Sequence, residues 1–248
     1  MKYFVFALLL ALAMAGQTPE EIFLGMPGEP GFVTVDPGAE MFYWHFESQR
    51  SAKDDPLVLW LTGGPGCSSE LALFFENGPF KVNSDLSLTK NEYSWNDHAN
   101  LLYVDQPLGT GYSHTSDSGD IPTNEDQVAA TFYVFFTGFL EKFPQYKGRK
   151  FYITGESYAG HYIPAISAKF LAEDNKDINL QAVAIGNGWV DPYFQFPAYA
   201  EFAYKNNLIG QSDYSSLKSA FQKCDQYIED NRMGLASYEC FGAQNQIL

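Results

Sequence analysis

The sequence predicts an α/β protein whose mostly parallel central sheet is flanked by helices. Two observations carry this. Short apolar runs alternate with longer helical patterns, and apolar strands joined by crossover helices are the mark of a parallel sheet buried on both faces. One of these strands also runs straight into Gly155-Glu156-Ser157-Tyr158-Ala159-Gly160, from which a helix emerges.

Taken in order, the first residues stand apart from the fold. Lys2 supplies a short positive region, Tyr3 to Met14 form an apolar run, and Ala13-Met14-Ala15 has small residues where a signal peptidase reads them. Residues 1–15 are therefore expected to be a signal peptide cleaved after Ala15. Spanning a bilayer takes about 20 apolar residues, and neither this run nor any other reaches that length. The mature chain is expected to be free of the membrane, in the secretory pathway, either secreted or in a lysosomal or vacuolar lumen.

Phe32–Val35 and Met41–Glu47 read as strands joined by a turn at Asp36-Pro37-Gly38. Leu57–Leu61 is an apolar strand running into Gly63-Gly64-Pro65-Gly66, and Leu101–Val104 is another. Asp126 to Phe143 lacks proline and carries a wide apolar face, which predicts a helix beginning near Asn124. Phe151–Thr154 is the next strand, followed by a helix that starts near Ser157 and runs through Tyr162 to Ala172. Gln181–Ile185 is the last strand, closed by Gly186-Asn187-Gly188. After Asp191 the pattern changes to short helical segments with polar breaks. The expected organisation is a core over residues 16–190 and the start of a helical cap or insertion over 191–248. The aromatic cluster Phe132-Tyr133-Val134-Phe135-Phe136 reads as core packing.

Composition narrows the function classes. With 17% aromatic and 18% charged residues in 248, the chain is globular. Its net charge of −15 argues against nucleic acid and against anionic lipid surfaces, since no basic stripe is present to neutralise phosphates. Three cysteines, Cys67, Cys224 and Cys240, leave one thiol unpaired or paired elsewhere in an oxidising compartment. Cys224 and Cys240 are able to bridge each other. There is no Cys-x-x-Cys and no paired-histidine spacing, so no metal ligand set and no cofactor are expected.

Gly155-Glu156-Ser157-Tyr158-Ala159 follows the Gly-x-Ser-x-Gly pattern with Ala159 in place of the closing glycine, and Gly160 comes one residue later. The pattern alone is weak, because roughly one chain in ten of this length would hold Gly-x-Ser-x-Gly by chance. Its setting between strand and helix makes it a nucleophile elbow, with Ser157 presented at the carboxyl edge of the sheet. The bland alternative is a serine in an ordinary tight turn. Thr62-Gly63-Gly64-Pro65-Gly66-Cys67-Ser68-Ser69 also follows a strand, and such a loop offers unobstructed N–H groups. The Gly64 and Tyr158 amides are expected to converge on one oxyanion. A phosphate-binding loop is disfavoured, as Pro65 removes a donor and no lysine follows.

Together with Phe74-Phe75-Glu76-Asn77-Gly78-Pro79, Tyr93-Ser94-Trp95-Asn96, Asp105 to Ser113 and Gly186-Asn187-Gly188-Trp189, these motifs span nearly all of the mature chain to Asp191. On them the chain resembles the serine carboxypeptidase family of α/β-hydrolases. The resemblance implies that Ser157 is the catalytic nucleophile, that Gly64 and Tyr158 form the oxyanion hole, and that Thr62, Gly63, Glu76 and Glu156 bind the substrate's terminal carboxylate. It implies peptide substrates with a free C-terminus. Two carboxyl groups facing a carboxylate cannot all ionise, so Glu76 and Glu156 are expected to share protons.

Two departures qualify the resemblance. Thr62 stands where the family's peptidases usually carry asparagine, giving one hydrogen-bond donor where the amide has two. The triad of this fold runs Ser, Asp, His along the chain, yet the one histidine after Ser157 is His161, one helical turn from the elbow. The family's Asp and His are expected in a C-terminal part of the fold not contained in this chain, whose activity alone is then expected to be lost. Three readings remain open: carboxypeptidase chemistry in the complete protein, acyl transfer to alcohols on the same scaffold, and a truncated, non-catalytic peptide-binding product.

Overall fold

The structure, a computed structural model, describes residues 18–247. The expected signal peptide and its Ala15 cleavage point lie outside the described residues. The chain divides after Gly188 into two compact units.

In the first unit a short helix α1 (Pro19–Ile22) precedes the hairpin β1 (Glu29–Asp36) and β2 (Ala39–Phe46). Asp36 pairs with Ala39, which leaves Pro37 and Gly38 as the turn, with Gly38 at φ 82°. Then come β3 (Leu57–Leu61), α2 (Glu70–Phe75), the small hairpin β4 (Phe80–Val82) and β5 (Leu88–Lys90), and β6 (Asn100–Val104). The two-residue β7 (His114–Thr115), α3 (Glu125–Lys142), β8 (Lys150–Glu156), α4 (Ala159–Glu173) and β9 (Asn179–Gly186) complete the unit. The sheet order is β1-β2-β6-β3-β8-β9, with β7 on β2. Strands β6, β3, β8 and β9 run parallel to one another, while β1 and β2 form the antiparallel side.

The period-2 alternation of each strand sorts its side chains between two cores. Leu57, Leu59, Leu61, Leu102 and Val104 face a core filled by α3 and α4, whereas Trp60, Leu101 and Tyr103 face a smaller one that includes Ala72, Leu73 and Phe80. Helix α3 starts where Asn124 accepts the Gln127 N–H at 3.0 Å, a side-chain N-cap. From there Phe132, Phe135, Phe136 and Phe139 pack into the larger core and are fully buried, each contributing about 2–3 kcal/mol of hydrophobic stabilisation. Burial on both faces does not extend to β9, where Gln181–Ala184 are exposed. Among the described residues, β9 pairs with β8 on one side and lies at the edge of the sheet.

The second unit corrects the expectation of short helical segments. It holds three full helices, α5 (Pro192–Lys205), α6 (Gln211–Glu229) and α7 (Met233–Gln244), of 14, 19 and 12 residues. Pro197 lies inside α5, and Gly234 and Gly242 lie inside α7. These breakers weaken the local pattern, and a shared core of Phe196, Ala200, Leu217, Phe221, Cys224, Ala236 and Cys240 overrides them. The Cys224–Cys240 disulfide, with Cα atoms 5.2 Å apart, ties α6 to α7. Among the described residues no helix is long and apolar enough to cross a membrane.

Candidate functional site

The carboxyl ends of β3 and β8 lie side by side, since Leu61 pairs with Gly155. Between the end of β8 at Glu156 and the start of α4 at Ala159, Ser157 is exposed and sits at φ 59°. This is the left-handed region, which costs a residue with a β-carbon on the order of 1–3 kcal/mol and persists only where the surroundings impose it. Here the Ser157 N–H donates to Gly186 O at 3.0 Å, and the Gly160 N–H donates back to Ser157 O at 3.0 Å. Below the turn, the Thr154 hydroxyl donates to Leu59 O at 2.8 Å. A Cβ on Gly155 would overlap Leu61 O and lie 2.9 Å from the Ala159 Cβ. That glycine is what lets β3, β8 and α4 converge under Ser157.

The glycine-rich loop after β3 packs onto this turn. A Cβ on Gly63 would overlap the Tyr158 nitrogen and lie 2.9 Å from the Ser157 Cβ. Gly64 adopts φ 115°, a conformation reserved for glycine. The loop is tied down by backbone donors: Thr62 N–H to Ser69 Oγ at 3.3 Å, Ser69 N–H to Asp105 Oδ1 at 3.1 Å, and Gly66 N–H to the Tyr162 hydroxyl at 3.2 Å. Sequence reasoning assigned no part to Tyr162 or Asp105. Tyr162 lies on the helix read after Ser157 and Asp105 inside a quoted motif, but the partners they hold are 96 and 36 residues away along the chain, respectively.

Thr62 is buried, and its hydroxyl oxygen accepts the Trp60 indole N–H at 3.1 Å, which leaves the hydroxyl proton to donate. Trp60 in turn meets Trp95 edge-on, ring centroids 5.4 Å apart. Glu76 is the residue at which α2 ends, and Asn91 holds that corner by donating to Glu76 O at 3.3 Å and Gly78 O at 2.9 Å. Its carboxyl faces that of Glu156, the last residue of β8. Partial burial, then the charge of Glu156 and a hydrogen bond with it, raise the Glu76 pKa above the ordinary glutamate value.

The His161 ring stacks on that of Tyr158, 4.5 Å between centroids, and the Tyr158 hydroxyl donates to Glu125 Oε1 at 3.2 Å. His45 is fully buried against Tyr146, and His114 lies 3.6 Å from the Glu40 carboxylate. Cys67, on the glycine-rich loop, is a free, half-buried thiol. Among the described residues no group of three or more His, Cys, Asp or Glu is arranged to hold a metal ion.

The family model described as serine carboxypeptidase matches residues 19–247. Serine carboxypeptidase-like 48 of Arabidopsis thaliana is 52% identical over 196 residues, covering 77% of this chain and 38% of the relative. Serine carboxypeptidase S10 family member 1 of Dictyostelium discoideum is 44% identical over 205 residues, covering 82% and 49%. The chain thus spans less than half the length of these relatives. Among solved structures, Kex1Δp, a prohormone-processing carboxypeptidase from Saccharomyces cerevisiae, superposes with a TM-score of 0.78 at 34% identity, over 89% of this chain and 52% of that one. The fold is that of the α/β-hydrolases, and the chain belongs to the serine carboxypeptidase family.

Proposed function

We propose that the complete protein is a serine-type carboxypeptidase that releases C-terminal residues from peptides through an acyl-enzyme on Ser157. The observation that carries this is Ser157 at positive φ between β8 and α4, with Gly63 packed against the same turn. In this reading the Ser157 Oγ attacks the last peptide carbonyl, and the N–H groups of Gly64 and Tyr158 stabilise the oxyanion that forms. A general base takes the Oγ proton and returns it to the leaving amine. His161, stacked on Tyr158, is not assigned that part, so the chain as given supplies nucleophile and oxyanion donors without the base and is inactive by itself.

Thr62, Gly63, Glu76 and Glu156 are proposed to grip the substrate's terminal carboxylate. The raised pKa of Glu76 supports this, because a protonated carboxyl donates to a carboxylate where an ionised one repels it. The grip is intact at acidic pH and is lost as pH rises through the raised value. In the complete protein, peptide kcat/KM should peak on the acidic side, with the loss at higher pH appearing mainly in KM. Hydrolysis of an ester lacking the free carboxylate should peak nearer neutral, where a histidine base is unprotonated. Glu156→Gln keeps a donor without titrating and should flatten the peptide profile. Coincident peptide and ester profiles would remove the carboxylate-binding assignment and favour acyl transfer to alcohols. The N-terminal pattern around Ala15 supports delivery into the secretory pathway, with the protein secreted or held in a lysosomal or vacuolar lumen.

A further inference from the structure

The residue after β6, Asp105, is fully buried. Its two carboxylate oxygens reach in different directions: Oδ1 accepts the Ser69 N–H at 3.1 Å and Oδ2 accepts the Tyr112 N–H at 2.7 Å. One carboxylate therefore ties the glycine-rich loop to the loop that follows β6. That second loop is also held at Ser113, whose hydroxyl donates to Asp105 O at 2.6 Å and accepts the Phe42 N–H at 2.8 Å. Gly111, at φ 53°, passes so close that a Cβ there would overlap the Asp105 carboxylate. The position of this side chain is fixed from three sides.

Glu70, the first residue of α2, faces it. Glu70 Oε2 accepts from the Ser68 hydroxyl, while Oε1 is shut off from water and meets no donor of the protein. Among the described residues, Asp105 is the charged side chain that acts on Glu70; the Ser68 hydroxyl and the Glu70 N–H are the other polar groups facing it. A buried carboxylate oxygen with no donor, set against a second buried carboxylate, is costly unless a proton lies between them.

We propose that Glu70 and Asp105 share one proton, and that this acid–carboxylate hydrogen bond clamps the glycine-rich loop to the Asp105–Ser113 loop. The proton belongs on Glu70. Both Asp105 oxygens are already taken up by backbone N–H donors, whereas Glu70 has the Ser68 hydroxyl on Oε2 and no donor on Oε1. Burial first, and the Asp105 charge second, push Glu70 up to about 8. Because the folded value lies above the unfolded one, the clamp contributes fully below the ordinary glutamate range and is lost as pH rises through about 8. Above that, two negative charges share one buried site and the loops separate. The pair positions the loop that carries Gly63 and Gly64; it touches no substrate, and it is independent of the reaction proposed for Ser157.

The test is a carbon NMR titration of the full chain labelled at the glutamate side-chain carboxyl, read beside its melting temperature. One glutamate carboxyl should titrate near pH 8, vanish in Glu70→Gln, persist in Glu76→Gln, and move down by about one unit or more in Asp105→Asn, which removes the facing charge. Glutamine keeps a donor without titrating, so the melting temperature of the parent should fall relative to Glu70→Gln between about pH 5 and 8 and level off above that. If every glutamate titrates below about pH 6.5, or if the high titration survives Glu70→Gln, the clamp does not exist. Should Glu70→Gln fail to fold, a high-titrating carboxyl unmoved by Asp105→Asn is equally decisive against it.

Discussion

Replacing Gly63 by alanine adds one methyl group at the point where the glycine-rich loop meets the elbow. That carbon would overlap the Tyr158 nitrogen and lie 2.8 Å from Glu156 O and 2.9 Å from the Ser157 Cβ. Two of these neighbours are backbone atoms and the third is a Cβ, so no side chain can rotate away. Either the loop lifts or the elbow, held by the Ser157–Gly186 hydrogen bond, gives way. Overpacking of this kind costs about 1–3 kcal/mol, and immovable neighbours put Gly63→Ala at the upper end. For a protein of this size about 3 kcal/mol lowers the melting temperature by roughly 6–12 °C. Calorimetry of the parent and variant chains measures it directly. Gly242→Ala is the internal contrast: it lies exposed within α7 with nothing within 4 Å of a new Cβ, and it should gain about 0.5–1 kcal/mol from helix propensity. A folded Gly63→Ala chain melting within about 3 °C of the parent, about 1 kcal/mol, would refute close packing of loop on elbow.

Three further outcomes follow from the structure. His45 is buried, its Nε2 lies 2.8 Å from the Tyr146 hydroxyl, and burial lowers its pKa from 6.5 to about 4. Its neutral form is the folded one, so stability present above pH 6.5 is lost as pH falls toward 4, by up to about 3 kcal/mol; denaturant titrations of His45→Gln should show a flatter acid limb, and an unchanged limb would contradict this. Denatured, unreduced chain should contain one reactive thiol, from Cys67, with two more released on reduction of Cys224–Cys240; three thiols before reduction would contradict the disulfide. With its ends 16 positions apart, loss of that bridge in Cys224→Ala/Cys240→Ala should destabilise the α5–α7 unit by about 3 kcal/mol on the loop-entropy account, measurable as an earlier unfolding transition.

How much was legible beforehand depends on the range over which a signal acts. The strands β3, β6 and β8 could be read directly because apolar runs between turn residues are local, and α3 could be read because Asn124 caps it within one turn. The elbow was legible for the same reason: strand, Ser157 and helix are contiguous, and the positive φ of Ser157 follows from that compact turn. The three helices beyond Asp191 were read too short, since Pro197, Gly234 and Gly242 act locally whereas the burial that outweighs them is shared between helices. Spacing admitted a Cys224–Cys240 bridge, but only packing of α6 on α7 brings the two sulfurs together. The sequence by itself determined the elements and the identity of the residues at the elbow. Tertiary structure alone decided that Gly63 abuts Tyr158, that Glu76 faces Glu156, and that Glu70 faces Asp105. Each of those pairs joins segments between 35 and 95 residues apart, and such distances close only when β3, β6 and β8 line up with their carboxyl ends at one edge of the sheet.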